Sequence, residues 1–301
     1  MTDAVTAKPV TYGEHSVTPR GDYEHMATDW TTNQDWSAYT AEQHDRYRRL
    51  TAARSRSLHH EAAGEFLHAL ASIESSDGVP RFDRVGKRLK MMTGWELAPV
   101  PGLIPESAFF ALLASRRFPI TTWLRDEPEF DYIVEPDVFH DFFGHVPLLF
   151  NPVFADYMQA FGAGGMKAQR LAVDDPAAYG RALEMMARLY WYTVEFGLIS
   201  TPAGLRAYGA GILSSATEPA HALYSAKPTR LAFELERVML SRYRIDDFQD
   251  TYFVIESFAE LFDATEPDFG PIYSRLAAMP SLPAAGRMPG DRTWPANVRP
   301  D

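Results

Sequence analysis

Glu135-Pro136-Asp137-Val138-Phe139-His140-Asp141-Phe142-Phe143-Gly144-His145-Val146-Pro147 places two histidines five residues apart in a run of Phe, Val and Pro. A buried imidazole without a partner costs roughly 1–3 kcal/mol, so each ring needs a hydrogen bond or a metal. The segment predicts a short helix over Asp137–Phe143, with Asp137 as its cap and Pro147 limiting its end. On a straight α-helix a five-residue step turns the second side chain by roughly 140°. A shared ligand therefore requires the helix to break, and Gly144 is the expected place. The spacing also differs from that of zinc proteases, whose paired histidines are four apart on one face.

A third donor stands further along. Glu195 lies in Leu189-Tyr190-Trp191-Tyr192-Thr193-Val194-Glu195-Phe196-Gly197-Leu198-Ile199, the most apolar helical run in the chain. An ionised carboxylate there needs a cation or several hydrogen bonds. Two histidines and a carboxylate form the donor set of non-haem iron(II) oxygenases and also of catalytic zinc sites, so ligand type alone does not choose the metal. Taken singly, each histidine reads as a core residue with an ordinary partner, and the metal reading draws level only for the pair. His59-His60 reads as surface, because adjacent helical residues point apart. His15, His25, His44, His68 and His221 have no local ligand partner.

Outward from these segments the periodicity is mostly helical. Ala41–Ile73 carries apolar residues at helical spacing behind a Thr40…Gln43 capping pattern. Glu106–Leu113 and Thr229–Met239 also read as helices, as do Ser257–Phe262 and a run opened by Asp175-Pro176 and ending near Leu198. Strand signals are short: Phe118–Leu124, Ala207–Tyr208 and Tyr252–Ile255. The expected class is mainly α with a minor β component. Residues 1–28 read as a flexible lead-in, 29–265 as one catalytic domain and 266–301 as a proline-rich tail that wraps the surface or is disordered.

Composition narrows the function. The 301-residue chain carries a formal net charge of −11, which argues against a nucleic-acid partner. It has no cysteine, which excludes disulfides, thiolate metal sites and cysteine nucleophiles. No apolar run is long enough for a membrane span, and no signal peptide is apparent, so a cytoplasmic location is expected.

Several motifs in fixed order resemble the pterin-dependent aromatic amino acid hydroxylases, particularly the short bacterial members. They are PRFDRVGKRLKMMTGWELAPVPGLIP (80–105), FPITTWLR (118–125), EPDVFHDFFGHVPLL (135–149), YWYTVEFGL (190–198), AYGAGILSS (207–215) and FVIESF (253–258). The likeness spans roughly residues 30 to 262 and implies a single catalytic domain of that type. It implies that His140, His145 and Glu195 bind iron(II). It assigns Arg125 to the substrate carboxylate, with Asp137 supporting it, and places Ser214 and Ser215 along the amino acid site. Phe118, Pro136 and Trp191 would surround the substrate ring. The tetrahydropterin would lie between Phe109 and the Gly102-Leu103-Ile104 backbone, with Tyr190 and Asp141 nearby. Glu218 would orient the metal ligands or their waters. Ile245 stands where tyrosine-preferring relatives have an acidic residue, which favours phenylalanine. The implied reaction is 4-hydroxylation of L-phenylalanine with O₂ and a tetrahydropterin. Tryptophan 5-hydroxylation and phenylalanine 3-hydroxylation are the alternatives within the family. A zinc-dependent hydrolase and a non-catalytic amino-acid-binding module are the readings outside it. Without a regulatory domain or a heptad-bearing helix, the expected enzyme is a monomer.

Overall fold

Thr40 and Gln43 close a reciprocal capping box at the start of helix α1 (Ala41–Ser55): the threonine hydroxyl accepts from the Gln43 amide, and the glutamine side chain from the Thr40 amide. The computed structural model describes residues 10–12, 15–17, 20–73, 78–131 and 133–299. The single helix expected over Ala41–Ile73 is interrupted. A short turn at Leu58–Glu61 separates α1 from α2 (Gly64–Ile73). The break has a tertiary cause: the Ala63 amide donates to the Ala207 carbonyl, 2.9 Å away, and pulls the chain out of helical geometry. Helices α3 (Phe82–Thr93) and α4 (Glu106–Ala114) follow.

A π-helical segment, His140–His145, then runs into an α-turn at Val146–Leu149. The expected break at Gly144 does not occur. The helix widens instead, and i→i+5 hydrogen bonding stacks residues five apart on one face. Gly144 serves a different purpose, because a Cβ there would lie 2.8 Å from the Ala210 Cβ. Asn151 caps α5 (Pro152–Asp174), the longest helix described, which packs on α4, α6 (Pro176–Tyr190) and α10 (Phe258–Thr265). Helix α6 continues directly into a second π-helical segment, Trp191–Glu195. The shorter helices are α7 (Ala210–Ser214), α8 (Glu218–Tyr224), α9 (Leu235–Leu240) and α11 (Phe269–Leu276).

Eight short strands complete the described structure. β1 (Val10–Tyr12) and β2 (His15–Val17) form an antiparallel pair, while β3 (Glu96–Val100) and β4 (Arg117–Thr121) form a parallel one. β5 (Leu198–Thr201), β6 (Gly204–Ala207), β7 (Thr229–Ala232) and β8 (Thr251–Ile255) make a sheet ordered β6-β5-β8-β7. β7 occupies the first part of the helix expected over Thr229–Met239. Pairing with β8 decides this case, since short apolar runs do not reveal their own period. β3 was masked by Pro99, a residue that argues against a strand interior.

The terminal segments lie against this frame. After 265 the chain forms α11, where Asp268 caps and Pro271 sits in the first turn, a position proline tolerates. Beyond it, the Leu282, Trp294 and Asn297 amides donate to the Leu240, Arg230 and Leu223 carbonyls. Of the expected lead-in, residues 1–9, 13, 14, 18 and 19 lie outside the described residues. Within it, Tyr23 is buried against the loop that follows β3. Among the described residues no helix is long and apolar enough to cross a membrane.

Candidate active site

The two π-helical segments face each other. His140 Nε2 and His145 Nε2 are 3.2 Å apart, and Glu195 presents its carboxylate oxygens 3.2 Å from His145 Nε2 and 3.5 Å from His140 Nε2. Ligands held at right angles about 2.1 Å from one ion lie about 3 Å from each other, so the three donors match a single cation. Without a cation, Glu195 lies well below the ordinary carboxylate range: burial pushes it up, but the two imidazoles outweigh that. For His140 burial acts downward, and the charges of Glu195, Asp141 and Asp137 raise it on balance.

The two histidine rings are held from behind. His140 Nδ1 lies 2.9 Å from Ser214 Oγ, at the end of α7. The His145 ring packs on Phe118 of β4, with centroids 5.2 Å apart. Asp141 is the other carboxylate within 4.8 Å of the histidine nitrogens. One of its oxygens accepts from the Thr121 amide at 2.8 Å, which ties it to the end of β4, and burial pushes its carboxyl up.

Arg125 and Asp137 form a buried clamp. The carboxylate accepts from Nε and Nη2, both at 2.8 Å, and from the Arg125 amide at 2.9 Å. It also caps the histidine segment by accepting from the His140 amide. The clamp thus couples an arginine on a loop to the first turn of the ligand helix. From α1, buried Arg46 donates to the Arg125 carbonyl, and Arg54 donates to the Ser215 carbonyl.

The His140, His145, Glu195, Asp141 and Arg125 side chains border one cleft of about 1190 Å³. Of the residues singled out in the sequence, only Asp137 does not line it, being enclosed behind Arg125. On one side stand Phe118, Pro136, Trp191, Ser214, Ser215 and Ile245. Trp191 stacks on Tyr243 and donates to Gln249 Oε1 at 2.9 Å. On the other side stand Gly102, Leu103, Ile104, Phe109 and Tyr190, the two rings meeting edge to face at 5.5 Å. Glu218 is buried near the cleft floor and accepts from the Tyr252 hydroxyl; burial raises its carboxyl. The Ser215 hydroxyl accepts from the Thr217 and Glu218 amides just ahead of α8.

The biopterin-dependent aromatic amino acid hydroxylase family matches residues 15–266 of this chain. The chain belongs to that family. It is 52% identical over 279 residues to the phenylalanine-4-hydroxylase of Ralstonia nicotianae, covering 92% of this chain and 86% of the relative. It is also 52% identical over 276 residues to that of Chromobacterium violaceum, covering 91% and 90%. The iron- and phenylalanine-bound crystal structure of the Chromobacterium violaceum phenylalanine hydroxylase superposes with a TM-score of 0.82 at 51% identity, covering 90% of this chain and 96% of that one.

Among the hydroxylase residues bordering the cleft, sequence reasoning missed Tyr23, Trp30, Tyr243 and Gln249. Tyr23 and Trp30 sit in a polar stretch without period, where an isolated aromatic pair was the only available signal. Gln249 carries no local mark, since its role depends on Trp191 lying 58 residues away.

Proposed function

We propose that this hydroxylase converts L-phenylalanine to L-tyrosine, with iron(II) held by His140, His145 and Glu195. The observation that carries the reading is the convergence of those three donors in a cleft that also presents the Arg125–Asp137 clamp. Imidazole and carboxylate donors suit iron(II), and a three-donor set leaves coordination positions open. Iron(II) and a tetrahydropterin, when bound, would supply the oxygen chemistry, one atom of O₂ ending on the ring and the other on the pterin.

The chain's own residues bind and orient. Arg125 pairs with the substrate carboxylate, and Asp137 fixes the guanidinium so that little freedom is lost on binding. Phe118, Pro136 and Trp191 wall the ring and keep water out. Ile245 leaves the far end apolar, which suits phenylalanine better than a phenol. Ser214 accepts from the Nδ1–H of His140, leaving Nε2 free toward the metal. Glu218, braced by Tyr252, orients the ligand shell from below. On the opposite wall Phe109 and the Gly102–Ile104 backbone would hold the pterin, with Tyr190 and Asp141 beside it. We read the enzyme as a cytoplasmic monomer, which sedimentation analysis checks for the monomer.

The test is product analysis after iron(II) loading, with L-phenylalanine, tetrahydrobiopterin and O₂, and His145→Ala protein as the blank. Pterin-dependent tyrosine absent from the blank is the expected result. Hydroxytryptophan or meta-tyrosine as the main product would move the substrate or the position of attack. No product from iron-containing protein would overturn the reading.

A further inference from the structure

The end of β3 and the loop that follows it, residues 99–103, are gripped by a segment outside the motifs. Residues 20–32 run across them and touch them repeatedly. The Thr32 amide donates to the Pro99 carbonyl at 2.8 Å. Gly21, at φ +101°, lies so close that a Cβ would come within 1.8 Å of the Pro101 carbonyl oxygen. The Tyr23 hydroxyl donates to the Leu103 carbonyl at 3.0 Å. A Cβ on Gly102 would meet Tyr23 Oη at 2.8 Å, the Arg20 carbonyl at 3.0 Å and Glu135 Oε1 at 3.1 Å. The segment is itself anchored at both ends. Arg20 forms a bidentate pair with Glu129 and lies 4.9 Å over the Trp123 ring, while Asp29 pairs with Arg117 at 2.9 Å. On the far side the buried Glu135 carboxylate faces the Arg20 and Leu103 backbone and closes the enclosure of Gly102.

We infer that Tyr23 is a positioning residue for the pterin, acting through the Leu103 carbonyl it holds and the Gly102 backbone it encloses. The inference rests on the pterin placement proposed above. Backbone groups recognise a flat ligand only when their direction is fixed in advance, and for the Leu103 carbonyl the Tyr23 hydroxyl of the strap supplies that hold.

The test is calorimetric titration of iron(II)-loaded protein with 7,8-dihydrobiopterin, which does not drive turnover, and separately with L-phenylalanine. Tyr23→Phe removes the hydroxyl and keeps the ring. Gly21→Ala lifts the strap from Pro101 without altering any group on the loop. Both variants are expected to raise the dihydropterin Kd about three- to tenfold, the effect of losing one neutral hydrogen bond, with the phenylalanine Kd essentially unchanged. Phe109→Ala is the control for placement. Should it weaken the dihydropterin while both strap variants leave it unchanged, the role of Tyr23 is overturned and the placement stands. Should Phe109→Ala also have no effect, the placement falls and the inference with it. Equal weakening of both ligands would show general loosening and likewise overturn the role.

Discussion

Asp137 uses both carboxylate oxygens on Arg125 and one of them again on the His140 amide, so a single side chain aims the clamp and starts the ligand helix. Asp137→Asn keeps the shape and an acceptor for the His140 amide but loses the charge and one of the two acceptors. Hydrogen bonds to charged groups contribute roughly 1.5–3 kcal/mol, so kcat/KM for phenylalanine is expected to fall about tenfold or more, through KM. Iron content measured on the same protein should not change, and if iron is lost the clamp's main service is to the metal. Glu135 gives a second prediction of a different kind. Burial raises its carboxyl above the ordinary value of 4.5, although the nearby Arg20 charge lowers it and Asp141 adds to the rise. A carboxyl raised in the folded state costs stability when ionised, and that cost disappears as pH falls below 4.5, where both states are protonated. Glu135→Gln should therefore raise Tm at pH 8, with a gain that shrinks toward pH 4.5. A pH-independent difference between the two melting curves would exclude ionisation as the cause.

The ligand helices show how far local pattern reaches. His140, His145 and Glu195 stood out as polar groups in apolar settings, with core and metal readings level until the family resemblance chose between them, and the roles of Arg125 and Asp137 came from that resemblance alone. The device that brings the histidines together was not legible. Standard helical period turns His145 away from His140, and only a tertiary fact, the close seat of α7 against Gly144, accompanies the widened turn. In the same way α2 is separated from α1 by a hydrogen bond to Ala207, and β7 is a strand because β8 lies beside it. Sequence period marks apolar faces; pairing partners distant in the chain then select between helix and strand. The contact at Gly144 yields the prediction for this scale. Gly144→Ala sets a methyl 2.8 Å from the Ala210 Cβ, in a buried position without room to yield. Such overpacking costs roughly 1–3 kcal/mol, and relief requires α7 to move outward. Because α7 ends at Ser214, whose hydroxyl meets His140 Nδ1, the displacement should also weaken iron binding. Urea denaturation and iron analysis together check this. A destabilised protein with full iron affinity would show that α7 packs on the ligand helix without orienting it.

Across the whole molecule the proposed metal site joins two stretches fifty residues apart in the chain, so it exists only in the folded state. A ligand that binds only the native protein stabilises it by about 2.7 kcal/mol at a hundred times its Kd. The pH at which this stabilisation appears follows from the apoprotein's charges. His140 is raised above its ordinary 6.5, so the stability from its charged form is fully present below 6.5 and is lost as pH rises through the folded value. Glu195 is lowered from 4.5, so its contribution is present above 4.5 and is lost only as pH falls through that lower value. The apoprotein therefore holds its internal ion pair intact between pH 4.5 and 6.5. Iron(II) must displace the proton on His140 to bind there, and metal affinity falls accordingly in that window. As pH rises through the raised folded value of His140 the apoprotein loses its ion pair, while a bound metal no longer has to displace a proton from that ring. The difference in Tm between iron-loaded and metal-free enzyme is thus expected to be small near pH 5.5 and to widen through pH 8. Calorimetric melting of both forms under anaerobic conditions measures it directly. A gap that stays constant over this range would mean that protons and metal do not compete for His140, and the assignment of that residue as a ligand would fail.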